Sequence, residues 1–258
     1  MGKTALVTGA SAGLGTELAR LFAADGHDLV LVARRKDKLE ALATEIKTKH
    51  KVAVHVIAED LAKPGAAERI TSELSKRTIE IEFLVNNAGF GGVGAFAERA
   101  LAEEMGMVQV NIVALVELTH LVLPGMLARK SGRVLNLGST AGFVPGPFMA
   151  IYYASKAFVN SFTEALSVEL AGTGVTATVS CPGATATEFA QVAGNDKSPL
   201  FKSGVMNARE VAEDAYHAMM RGDAMSVAGF MNKVRIASLR LAPRGMARGI
   251  AAGLNRAT

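Results

Sequence analysis

The sequence predicts an α/β fold: a doubly wound parallel sheet of about seven strands with helices on both faces. Three observations predict it. Nearly continuous apolar, β-branched runs alternate along the chain with stretches of helical periodicity, as in a parallel sheet covered on both faces. A cluster of glycines separates the first such run from the first helical stretch. Half of the 258 residues are hydrophobic and a fifth are charged, enough to bury a large core.

Ala5–Val7 is the first strand, and Leu14–Ala24 the first helix, with Leu14, Leu18, Leu21 and Phe22 on one face. Leu29–Ala33, Val52–Ala58, Ile81–Val85, Arg133–Leu137 and Val175–Ser180 are further strands. Helices are expected over Asp37–Lys49, over Pro64–Arg77 with the proline in the first turn, over about Ala97–Leu127 and over Ile151–Leu170. With no internal repeat and no linker, residues 1–258 read as one domain ending in a basic helical tail at about 229–258. Pro243 is expected to divide the tail into two helices.

Composition bounds the function. The net charge is +4, yet Ala224–Thr258 carries six basic residues and no acid, which leaves the preceding residues at −2. A basic excess confined to a tail argues against a nucleic-acid-binding core. One cysteine, Cys181, allows no intrachain disulfide, and it reads as a buried structural thiol. Five scattered histidines offer no metal-ligand spacing, so no metal is expected. With no apparent leader and no apolar run of about 18 residues, a cytoplasmic location is expected.

In a doubly wound sheet ligands bind beyond the carboxyl ends of the strands, so the residues there carry the functional reading. The first strand runs into Thr8-Gly9-Ala10-Ser11-Ala12-Gly13-Leu14-Gly15 and then a helix. Gly9, Ser11, Gly13, Leu14 and Gly15 are candidate phosphate contacts, because glycine lets backbone N–H groups approach a phosphate at a helix N-terminus. The spacing is G-x-x-x-G-x-G, not the commoner G-x-G-x-x-G. The second strand ends at Arg34-Arg35 with no acid before Asp37. A carboxylate there would bind a ribose 2′-hydroxyl and an arginine a 2′-phosphate, so NADP(H) is favoured over NAD(H), the alternative being two arginines that merely cap the next helix. The third and fourth strands end at Asp60-Leu61 and Asn87-Ala88-Gly89. Beyond the fifth come Ser139 and then Tyr152 and Lys156, which share one helix face at i and i+4. A free phenol titrates near ~10, and an adjacent ammonium lowers that value.

Together these residues, with Asn111, Pro182, Gly183 and Thr187, resemble the short-chain dehydrogenase/reductase family over about the first 220 residues. The resemblance implies a Rossmann-like fold and hydride transfer between a nicotinamide and a carbonyl or hydroxyl carbon. It implies Tyr152 as acid/base, Ser139 as the hydrogen-bonding partner of the substrate oxygen, Lys156 as the group that tunes Tyr152 and binds ribose, and Asn111 as the holder of a relay water. It further implies Asp60 near adenine, Asn87 as support for the sheet, Thr187 near the carboxamide, and a homodimer or homotetramer paired through the helices of Asn111 and Tyr152. Ala12 departs from the Arg or Lys that many NADP-binding relatives carry, so the 2′-phosphate would rest on Arg34 with Arg35 in support.

The substrate is expected to be small and apolar. Phe143–Met149, with Phe189, Phe201 and Met206, would border it, and Lys197 and Lys202 are the only cations noted there. In the tail, Val234, Ile236, Leu239 and Leu241 alternate with basic residues. A solvated face or subunit contact is preferred there to contact with an anionic membrane. A non-catalytic NADP-sensing protein on the same fold is the alternative function, and a related lyase or epimerase a third.

Overall fold

A computed structural model of the protein describes residues 2–189, 193–194, 205–239 and 244–255. Seven parallel strands form one sheet: β1 (Thr4–Thr8), β2 (Asp28–Ala33), β3 (Val54–Ala58), β4 (Ile81–Asn86), β5 (Gly132–Leu137), β6 (Val175–Ser180) and β7 (Met225–Ser226), in the order β3-β2-β1-β4-β5-β6-β7. The helices are α1 (Gly13–Ala24), α2 (Lys36–His50), α3 (Ala66–Lys76), α4 (Leu101–Val108), α5 (Ala114–Arg129), α6 (Ala150–Glu169), α7 (Ala208–Arg221), α8 (Phe230–Leu239) and α9 (Arg244–Asn255).

The two-residue period of a strand sends alternate side chains to opposite faces. In β1, Ala5 and Val7 join a layer with Leu18 and Phe22 of α1, Leu39 of α2 and Tyr216 and Met219 of α7. Leu6 between them joins the opposite layer, with Ile70 of α3, Leu118 of α5 and Leu166 of α6. Strand order runs outward in one direction from β1 through β2 to β3 and in the other from β4 to β7, so the crevice opens where β1 meets β4.

Several elements differ from the sequence reading. The third helix starts at Ala66, because Gly65 ahead of it adopts φ +74°, a conformation that suits glycine and places Pro64 in a turn outside the helix. β3 begins at Val54. The region expected as one helix from Ala97 begins as a short 3₁₀ turn, Phe96–Glu98. It continues as α4, then a π turn over Gln109–Val113, then α5 with Pro124 inside it. Leu101–Arg129 reaches a mean hydropathy of 1.7 over an 18-residue window, the length and composition of a membrane span, which corrects the expectation that no such run exists. Ala114, Leu118 and Met126 spend part of that apolarity packing on the sheet. β7 is two residues long and gave no apolar run to recognise.

Candidate active site

The glycine loop after β1 is locked from behind by β4. Thr8 Oγ1 donates to the Val85 carbonyl at 3.2 Å and accepts from the backbone N–H groups of Asn87 and Ala88, both at 3.0 Å. The Asn87 side-chain amide donates to the carbonyls of Thr8 at 2.8 Å and Gly9 at 3.3 Å. Asn87 thus holds the loop's backbone against the end of β4.

Gly9 and Gly13 take φ +66° and +55°. A Cβ on Gly13 would stand 3.0 Å from Thr187, and one on Gly15 would run into the Gly9 carbonyl. α1 begins at Gly13, and Ala12 before it supplies no side-chain cap, so the first-turn N–H groups have no capping acceptor from that residue. An open helix N-terminus behind a cradle that only glycine fits suits a dinucleotide pyrophosphate.

A cleft of about 850 Å³ runs along the carboxyl ends of the strands. It is bordered by Gly9, Ser11, Gly13 and Leu14, by Arg34 and Arg35, by Asp60 and Leu61, by Asn87–Gly89, and by Ser139, Tyr152, Lys156, Pro182, Gly183 and Thr187. Gly15 and Asn111 are not on its wall. Asp60 accepts from the Ala62 N–H at 3.1 Å, which fixes its carboxylate in the loop. The two arginines at the end of β2 separate in role. Arg35 reaches the Ser11 hydroxyl with Nε at 3.3 Å and Nη2 at 3.2 Å, and pairs through Nη1 with Glu188 at 2.9 Å. Arg34 is exposed, and no ion pair engages it among the described residues.

At the inner end stand Ser139, Tyr152 and Lys156. Ser139 lies two residues beyond β5 and caps a 3₁₀ turn, accepting from the Ala141 N–H at 3.0 Å. α6 carries Tyr152 and Lys156 one turn apart, and the Lys156 ammonium lies 5.9 Å from the Tyr152 ring centre. Burial pushes the Tyr152 phenol up to about 12, against the opposing effect of a hydrogen bond with Ser139. Burial also pulls Lys156 down to about 8, while its Nζ donates to the Leu137 carbonyl at 2.7 Å. Asn111 sits in the π turn, a feature that recurs at functional sites. Its side chain clamps neighbours: Nδ2 donates to Ser155 Oγ and to the Phe90 carbonyl, both at 3.0 Å, and Oδ1 accepts from the Phe90 N–H at 3.1 Å. Asn111 and Lys156 meet across Gly89, where a Cβ would lie 3.1 Å from Asn111 Oδ1 and 3.6 Å from Lys156 Nζ.

The neighbouring Tyr153 faces elsewhere. Its hydroxyl donates to Asn255 Oδ1 at 3.0 Å, and Asn255 Nδ2 donates to the Pro147 carbonyl at 3.1 Å, which staples α9 to α6. Cys181 is fully buried with its thiol pushed up to about 12, as a structural cysteine should be.

The sequence reading missed the roof. α8 turns Asn232, Arg235, Ile236 and Leu239 to the cleft, and α9 turns Ala247, Ile250, Ala251 and Leu254, both at the i, i+3, i+4, i+7 spacing of one helix face. The tail therefore lines the site, beyond the solvated face or subunit contact expected of it, and it brings a cation, Arg235, to a wall expected to be apolar. The spacing was legible, but its target on the sheet depends on tertiary folding. Of the expected substrate border, Val144, Met149 and Phe189 line the cleft, with the Phe189 ring 5.3 Å from that of Tyr152. Met206 lies under α8, where its sulfur accepts from Asn232. Lys197, Phe201, Lys202 and Leu241 lie outside the described residues.

Comparison with known proteins matches this arrangement. The model of the short chain dehydrogenase family covers residues 3–198. Sulfoacetaldehyde reductase 2 of Chromohalobacter salexigens is 38% identical over 83% of this chain and 86% of its own. The human very-long-chain 3-oxoacyl-CoA reductase is 36% identical over 74% of this chain and 62% of its own length. Among solved structures, a short-chain dehydrogenase from Sphingobium yanoikuyae in complex with NADPH superposes with a TM-score of 0.84 at 34% identity, over 95% of this chain and 94% of the other. This chain therefore belongs to the short chain dehydrogenase family, as an NAD(P)-dependent oxidoreductase acting on carbonyl and hydroxyl groups.

Proposed function

We propose that the protein is an NADP(H)-dependent reductase of a carbonyl compound with an apolar body, and that Tyr152 is its proton donor. The observation that carries this reading is one continuous cleft with Ser139, Tyr152 and Lys156 at one end and, at the other, Arg34, which is unpaired among the described residues. A bound nicotinamide supplies the hydride. Gly9, Gly13 and the N-terminus of α1 hold the pyrophosphate, Asp60 and Leu61 flank the adenine, and Arg34 meets the 2′-phosphate. The Sphingobium relative binds NADPH, and a serine dehydrogenase at 30% identity and TM-score 0.76 is complexed with NADP+, which supports the preference.

Ser139 donates to the substrate oxygen and steadies the negative charge that grows there. Tyr152 gives that oxygen a proton. Burial holds the Tyr152 phenol above its ordinary value, so it is in the protonated, donating form throughout the neutral range. Lys156 stabilises the phenolate left behind, and the path past Asn111 returns the proton. Val144, Met149 and Phe189 keep water from the reacting carbon. An assembly through α4, α5 and α6 belongs to the same reading, supported by exposed Met105, Leu121 and Phe158.

The test is NADPH oxidation across a panel of aldehydes and ketones, with Tyr152→Phe alongside. Turnover that the variant loses supports the reading. NADPH binding without turnover on any carbonyl favours the non-catalytic alternative.

A further inference from the structure

Among the described residues, four cations border the cleft: Arg34, Arg35, Lys156 and Arg235. Arg35 is held by Glu188 and Ser11, and Lys156 by the Leu137 carbonyl. Arg34 lies at the end of β2, where the proposed 2′-phosphate accounts for it. Arg235 is left without a side-chain partner among the described residues. It lies on α8, which packs against the 3₁₀ turn Thr140–Phe143 that follows Ser139, so it belongs to the substrate end of the cleft. Asn232, one turn earlier on the same face, fixes this placement. Its amide donates to the Ala228 carbonyl at 2.8 Å, and the side chain packs so closely on Gly183 that a Cβ there would lie 2.6 Å from Nδ2.

Among the described residues, no carboxylate on the wall is placed to neutralise Arg235. Glu59 pairs with Arg69 at 3.0 Å, Glu188 pairs with Arg35 and Lys38, and Asp60 sits beyond β3 on the opposite flank. The tail from Ala224 onward contains no acid at all. Ile236 and Leu239 share the helix face of Arg235, and Ile250 and Leu254 line the same cleft from α9. Arg235 is exposed at the mouth of the cleft, and a guanidinium there beside an apolar helix face suits a ligand that is apolar along its length and anionic at one end, the stem packing on the roof and the anion meeting the guanidinium.

We propose that Arg235 is the residue that selects the substrate, by receiving a carboxylate or sulfonate carried at a distance from the carbonyl that Tyr152 protonates. This deepens the reductase reading and rests on it. The substrate class is an oxo acid with an apolar spacer, laid along the roof with its carbonyl toward Ser139 and its anion toward Arg235.

The test compares n-alkanals with ω-oxocarboxylates of equal carbon number, by NADPH oxidation. The wild type is expected to prefer the oxocarboxylate, through KM more than kcat, and to lose that preference as salt is added. Arg235→Ala should reduce the ratio of the two kcat/KM values by about tenfold or more, the size of a lost charge-assisted contact. Arg235→Lys should restore part of it, which a merely structural role for the side chain would not explain. A preference that is the same in wild type and Arg235→Ala overturns the assignment. So does an Arg235→Ala variant whose principal defect is a weaker Kd for NADPH, measured by cofactor fluorescence, since Arg235 would then serve the cofactor. Failure of the wild type to reduce any carbonyl overturns the reductase reading itself, and is distinguished by occurring before any variant is compared.

Discussion

Replacing Lys156 by Met should make the protein more stable while removing its activity. Lys156 is buried, and burial lowers it from the ordinary 10.5 to about 8. A difference of that size corresponds to about 3 kcal/mol of destabilisation of the charged form. At pH 7 the native state pays this in full, because the lysine is protonated both folded and unfolded. Between about pH 8 and 10.5 the unfolded chain still holds the proton that the folded protein has released, so stability contributed through this group rises with pH across that window. Methionine has a comparable length and no charge. It forfeits the 2.7 Å hydrogen bond to the Leu137 carbonyl, worth about 1–2 kcal/mol. The net expectation at pH 7 is a gain of about 1–2 kcal/mol, or a rise in Tm of a few degrees for a domain of this size. Thermal melts of wild type and Lys156→Met at pH 7 and at pH 10, followed by circular dichroism, provide the assay. The gap should narrow at the higher pH. A lower Tm for Lys156→Met at pH 7, or a gap indifferent to pH, would refute the reasoning that the site stores an unfavourable buried charge.

Other outcomes follow from the same geometry. Tyr152→Phe keeps the ring against Phe189 but removes the proton donor, so kcat should fall by about 10²–10⁴ with NADPH affinity retained, as read by steady-state kinetics and cofactor fluorescence. Ser139→Ala should cost about 10²–10³ in kcat, and a smaller loss would assign the oxyanion to another donor. Glu188→Gln frees Arg35 and Lys38 from a carboxylate beside the proposed 2′-phosphate position. NADPH should bind a few-fold tighter while NADH changes less, the modest size reflecting an exposed pair. Gly13→Ala forces a side chain into φ +55° against Thr187, and titration calorimetry should show NADPH affinity lost ahead of any large change in Tm.

The parts of this molecule legible in the sequence are those whose signal is local. β1, β2 and β4 are apolar runs, and Tyr152 with Lys156 is a spacing on one helix. The glycine loop is a composition whose geometry, positive φ at Gly9 and Gly13, is what glycine permits. What escaped depends on residues distant in sequence or on subtle departures from regularity. β7 is held as a strand only by pairing Met225 and Ser226 with β6. The π turn at Asn111 leaves no compositional trace. Arg35 looked like a partner of the cofactor phosphate, yet its fork is engaged by Ser11 and Glu188, more than a hundred residues apart. The roof stripe on α8 has the right spacing, but spacing does not say which surface it will cover.

The staple from Tyr153 to Asn255 has a practical corollary. The chain holds three tyrosines and no tryptophan. Tyr216 is anchored away from the cleft, its hydroxyl donating to Asp25 at 2.5 Å. The other two are the proposed proton donor and the phenol that fastens the roof, with ring centres 5.9 Å apart. Most of the protein's intrinsic ultraviolet signal thus originates at the site itself. Near-ultraviolet dichroism or tyrosine emission, with no label attached, should register both the arrival of a ligand beside Tyr152 and any lifting of α9 from α6, and a Tyr216→Phe background would isolate the two reporters.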